Sequence, residues 1–136
     1  MRITLVATAD FVNLTQESKM NLLGIFDEIT PPQIPYVHPQ MYLALTLEAE
    51  QGEPGGPIVV SISLTDSNGE NVMQPIVLDP VVAASSRPGS PVGLLTAVGL
   101  GGLVFRSAGT YTFTISVDGQ QVGTKNIRII EPIEGT

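Results

Sequence analysis

Apolar and polar residues alternate along most of this chain with a period of two. The clearest instance runs from Thr110 to Val117, where Tyr111, Phe113, Ile115 and Val117 alternate with Thr110, Thr112, Thr114 and Ser116. Successive side chains of a strand point to opposite faces, so the pattern predicts a strand with one buried and one solvated face. Asp118-Gly119 follows at once, and a short turn of this kind predicts a hairpin with a return strand over Val122–Ile130. A second hairpin is read from Ile58 to Leu78. There Ile58, Val60, Ile62 and Leu64 alternate with Val59, Ser61, Ser63 and Thr65, Asp66–Glu70 supplies the turn, and Val72–Leu78 returns. Pro75 has no N–H to give a ladder, which puts that return at a sheet edge or a bulge. Met41–Ala49 alternates in the same way.

The N-terminal third is less regular. Ile3, Leu5 and Ala7 predict one strand and Asn21–Ile29 another, with Gly24 marking a bulge or a close backbone approach. Phe11–Met20 reads as a short helical turn or a loop. Pro31–Pro35 reads as a rigid connection outside any ladder, and Val81–Pro91 as the longest loop. Turn signals recurring every roughly 8–12 residues predict an all-β sandwich or barrel, here a two-sheet antiparallel sandwich of about seven to eight strands. It is expected to form a single domain over residues 1–136. The step Gly109-Thr110-Tyr111 sharpens this expectation, because a Tyr entering a late strand marks a tyrosine corner.

Composition agrees. Hydrophobic residues reach 43%, enough for a core, while 14 Gly and 11 Pro punctuate the chain too often for long helices. The net charge of −7, with only six Lys and Arg, argues against nucleic acid and against an anionic membrane surface. With no cysteine, disulfides, thiolate nucleophiles and Cys-ligated metals are all excluded. The start, MRITLVATADF, lacks the apolar run of a secretory signal, so a cytoplasmic location is expected, the alternative being a mature fragment whose signal has been removed.

Candidate chemistry is sparse. The single histidine, His38, lies in Pro35-Tyr36-Val37-His38-Pro39, and no Gly-x-Ser-x-Gly elbow exists to complete a triad with it. Asp66-Ser67-Asn68-Gly69-Glu70 has the oxygen-rich look of a calcium loop but lacks its distant bidentate Glu, and the same residues suit a hairpin turn. Asp10, Asp27 and Glu28 are the carboxylates a glycosidase would need in a pair, and nothing in the chain shows that they converge. Tyr36, His38 and Asp66 are therefore the candidate loop ligands for a sugar or a divalent ion. No catalytic residue, resident metal or cofactor is expected. Leu94–Phe105 is apolar on both faces of its strand. It is either a central strand covered on both sides or a strand with one face on another subunit. The second alternative makes Leu94, Leu95, Val98, Leu100 and Leu103 a candidate interface.

Two stretches together carry a resemblance. One is Ala9-Asp10-Phe11 with Lys19-Met20-Asn21-Leu22-Leu23-Gly24-Ile25-Phe26-Asp27-Glu28-Ile29, and the other is Phe105 with Gly109–Ile115 and Asp118-Gly119. The combination resembles a family of small bacterial proteins of unknown function that look like immunoglobulin-type sandwiches. The resemblance implies an immunoglobulin-like fold and a bacterial origin, and brings no catalytic residues with it. The expected function is a non-enzymatic interaction or structural module that associates as a homo-oligomer, with neither nucleic acid nor membrane as partner. A ligand-binding sandwich is the alternative.

Overall fold

The computed structural model of the protein describes residues 1–49, 53–82 and 93–132. Eleven strands run through them: β1 (Arg2–Leu14), β2 (Met20–Ile25), β3 (Glu28–Ile29), β4 (Tyr36–Glu48), β5 (Gly56–Pro57), β6 (Val60–Thr65), β7 (Ile76–Leu78), β8 (Val81–Val82), β9 (Gly93–Phe105), β10 (Gly109–Val117) and β11 (Gln120–Ile129). One sheet has the order β2-β1-β4-β9, the second β3-β11-β10-β6-β7, and β5 pairs with β8 alone. All pairings are antiparallel except β3 with β11. The fold is all-β, as the alternation requires.

The core lies between the two larger sheets. Met41, Leu43, Leu45 and Leu47 of β4 are buried with Ile62 and Leu64 of β6, Phe113 and Ile115 of β10, and Ile127 and Ile129 of β11. Each contributes every second residue, the inward phase of its strand. Burying side chains of this size stabilises the fold by roughly 1.5–3 kcal/mol apiece.

The two hairpins form at the expected places. Asp118 and Gly119 take φ of 50° and 82°, the pair of left-handed residues that a tight hairpin between twisted strands needs. Asp118 is also tied to the adjacent strand entry, its N–H donating to the Val59 carbonyl at 2.8 Å and its Oδ1 accepting from the Val59 N–H at 2.9 Å. Tyr111 forms the corner: its hydroxyl donates to the Ser107 carbonyl at 2.6 Å, and its ring packs edge-on against Phe105 with centroids 4.9 Å apart. Pro75 precedes β7, which is an edge strand of three residues.

Three expectations are corrected. Among the described residues the strands number eleven rather than seven to eight, because short pairings such as β3, β5 and β8 carry no readable alternation. Phe11–Leu14 belong to β1, which pairs in unbroken register with β2 from Phe11↔Leu23 to Leu14↔Met20, so the turn is confined to the residues between the two strands. The proline-flanked Tyr36–Pro39 stretch is not a loop but the start of β4. Pro39 is accommodated there because the β4–β9 ladder passes from His38↔Leu103 to Gln40↔Gly101, and Gly102, with φ 69°, bends away opposite it. Of the stretch read as the longest loop, Val81–Val82 form β8, and residues 83–91 lie outside the described residues.

Candidate functional site

The tie between β1 and the β2–β3 link builds a small pocket. Gly24 takes φ 68° near the end of β2 and lies against Asp10, so close that a Cβ there would fall 2.4 Å from Asp10 Oδ2. Phe26 then donates its N–H to the Thr8 carbonyl at 3.0 Å, and the buried Thr8 hydroxyl donates back to the Phe26 carbonyl. This fixes the Phe26 ring 6.2 Å from the His38 ring. Tyr36 and His38 are two apart on β4 and so share a face, with the Tyr36 hydroxyl 3.2 Å from His38 Nδ1. Asp10, Phe26, Glu28, Ile29 and His38 line a pocket of about 190 Å³.

His38 Nε2 is out of solvent and without a hydrogen-bond partner among the described residues. Desolvation lowers the imidazole below its ordinary value of 6.5, while the Gln40 main chain and the Asp10 carboxylate act in the opposite direction. A neutral imidazole beside a carboxylate can exchange hydrogen bonds with a small polar group. Among the described residues no Ser, Thr or Lys lines the pocket to act as a nucleophile. Glu28 is paired with Arg128 at 3.2 Å, and Asp27 with Lys125.

Of the candidate ligand residues, the structure brings Tyr36 and His38 together and leaves Asp66 apart. Asp66 sits in the turn after β6, in the other sheet, where its Oδ1 accepts from the N–H groups of Asn68 at 2.9 Å and Glu70 at 3.0 Å. That is an Asx-type turn holding itself together. Among the described residues no group of three or more His, Asp or Glu side chains could hold a metal ion.

A second feature is larger. Residues directly opposite in a sheet share a face, and the register places Ala7, Ala44 and Ala97 in one row and Ile25, Ala9, Tyr42 and Gly99 in the next. Phe11 is opposite Leu23, and its ring packs edge-on against Tyr42 with centroids 5.6 Å apart. This is the outer face of the four-stranded sheet, since Leu43 and Leu45 of β4 point the other way into the core. It is apolar around these rows, bordered by Thr46 and by Gln40 beside Gly99, and Phe11, Leu23 and Ile25 are 46%, 62% and 63% exposed. The signal for this face was present in β1, whose apolar residues occupy both phases of the alternation.

The candidate interface strand is β9. Val98, Leu100 and Leu103 are buried in the main core and Leu94 packs against it, whereas Leu95 lies opposite Thr46 on the outer face, half-buried. β9 is neither central nor covered on both flanks, because it forms the edge of its sheet.

Solved structures share this fold. One is the alkylpurine DNA glycosylase AlkC of Pseudomonas fluorescens, bound to DNA containing an abasic site analog; it is 13% identical with a TM-score of 0.51 over 91% of this chain. The chain spans 30% of that protein's length, and at this identity the likeness shows the fold alone. It corrects the partner expectation nonetheless. The exclusion of nucleic acid came from net charge and the second copy from the apolar Leu94–Phe105 strand, yet a sandwich of this shape occurs in a protein held on DNA. Net charge is a property of a whole chain, not of a fold, so it cannot make that exclusion. Self-association also loses its ground, because Val98, Leu100 and Leu103 are occupied in the core and cannot face a second copy. No curated protein matches the chain. Among the described residues no helix is long and apolar enough to cross a membrane. Over residues 4–130 the chain matches the family of unknown function DUF6941, and it belongs to that family.

Proposed function

We propose that this chain is a non-catalytic interaction module that docks a partner protein on the outer face of its four-stranded sheet. The observation that carries the reading is the exposure of the cross-strand pair Phe11 and Leu23 and of Ile25 opposite Ala9, beside the apolar cluster of Ala9, Val12, Ala44 and Tyr42. Water-exposed apolar area favours burial by about 25 cal/mol per Å², and contiguous apolar patches on a protein surface mark interaction sites. A photoreactive amino acid placed at Leu23, with Val77 as the control position, tests this in cells. A defined protein adduct from Leu23 and none from Val77 is expected; equal labelling at both, or none, counts against it.

A second reading, a small-molecule site at Tyr36 and His38, is favoured by the unpartnered His38 Nε2 beside the pocket. Saturable shifts of the His38 ring resonances on adding a sugar are its expected outcome. Unchanged resonances would remove it.

A further inference from the structure

The edges of the two large sheets are not alike. Three of them are short: β3 has two residues, β7 three, and β2 six with Gly24 in left-handed conformation near its end. β9 has 13 residues and, among the described residues, pairs with β4 alone, in one register from Gly93↔Glu48 to Phe105↔Tyr36. Proteins blunt exposed strand edges with charged residues, Pro, bulges or brevity, because an edge offers a row of unpaired N–H and C=O groups to any extended chain. The sequence of β9, GLLTAVGLGGLVF, contains no charged residue and no Pro, and its one left-handed residue, Gly102, is near its end. From Gly93 to Gly101 the strand is therefore regular and undefended.

We propose that this edge is a strand-addition site, at which an extended segment of a partner protein joins the sheet as a further strand beside β9. The proposal rests on the docking reading and gives it a mode: the added strand continues the sheet whose outer face carries Phe11, Leu23 and Ile25. Alternate residues of β9 turn their N–H and C=O groups away from β4, and these bind the incoming main chain. Side chains on either side set the preference. Inward-facing residues of the added strand meet the rim of the core at Leu94 and Val98, and outward-facing ones meet Leu95 and Ala97. The segment it fits is extended, apolar at alternate positions and uncharged at its centre, since a charge there would be laid against apolar neighbours with nothing to pair it.

Random short peptides displayed on phage, selected on the intact protein and then synthesised, provide the probe, and amide hydrogen exchange provides the readout. Selected peptides with alternating apolar residues should protect the alternate β9 amides that exchange fast in the free protein. Leu95→Lys should weaken their binding about tenfold or more, whereas Val77→Lys on the β7 edge should not. The exchange readout uses the unaltered protein, so it stands even if Leu95→Lys folds poorly. Failure to enrich any peptide, or binding that leaves β9 exchange unchanged, would overturn strand addition. Peptides that perturb Phe11 and Ile25 but no β9 amide would overturn it too, while leaving the docking reading in place. Protection of the same amides that grows with protein concentration and needs no peptide would assign the edge to a second copy and would also overturn the proposal.

Discussion

The Tyr111 hydroxyl donates to the main-chain carbonyl of Ser107 at 2.6 Å, closing the connection between β9 and β10 from inside. The Tyr111 side chain is almost wholly buried against Phe105, whereas Ser107 is exposed, so the bond ties the inside of the core to a surface turn. Tyr111→Phe keeps the ring and removes the bond to an exposed carbonyl that water can reach, which should cost about 0.5–1.5 kcal/mol of stability in urea unfolding. Ser107→Ala should cost far less, because the short bond is to main chain.

Gly24 and Asp10 make a second coupled pair. Gly24→Ala introduces both a strained left-handed residue and a Cβ 2.4 Å from Asp10 Oδ2. A loss of about 1–3 kcal/mol is expected from the backbone alone. In an Asp10→Ala background the clashes with Oδ2 and Cγ go while the 3.1 Å contact with Cβ and the strain remain, so a double-mutant cycle by urea unfolding should return a nonzero coupling energy. Strict additivity would contradict the contact.

His38 carries a pH signature. Burial lowers its folded pKa below the 6.5 of an exposed imidazole. The unfolded chain then takes up the proton first as pH falls, so stability contributed by the neutral imidazole is present above the unfolded value and declines below it, until the folded value is passed. His38 is the single histidine of the chain, and its ring resonance should titrate with a midpoint under 6.5. His38→Gln should flatten the fall in stability between about pH 7 and pH 5. A midpoint at or above 6.5 would contradict the burial.

Much of this fold was legible because the strands of the second sheet are buried on one side only. Tyr111, Phe113, Ile115 and Val117 alternate cleanly with Thr and Ser, and Asp118-Gly119 supplies a turn that few other residue pairs can make. The first sheet hid better. β1 is apolar in both phases, so Phe11 read as the start of a loop although it continues the strand. Tyr36–Pro39 read as a loop because Pro cannot give a ladder hydrogen bond, and only the pairing shows that Gly102 opposite releases that demand. Leu94–Phe105 reads as apolar on both faces in the sequence. Which flank it leaves open depends on strand order, and strand order is set by packing between residues far apart in the chain.

The outer face of the four-stranded sheet decides the account. Leu23 and Ile25 are exposed, at 62% and 63%, so their side chains add little to the stability of the protein alone. The double variant Leu23→Ser, Ile25→Ser should therefore unfold within about 0.5 kcal/mol of the parent. The direct measurement is photo-crosslinking from Phe11 in cells, with and without those two substitutions. A defined adduct that disappears in the folded double variant is the predicted result; an adduct that persists undiminished, or none from the parent, would contradict a docking surface on this face.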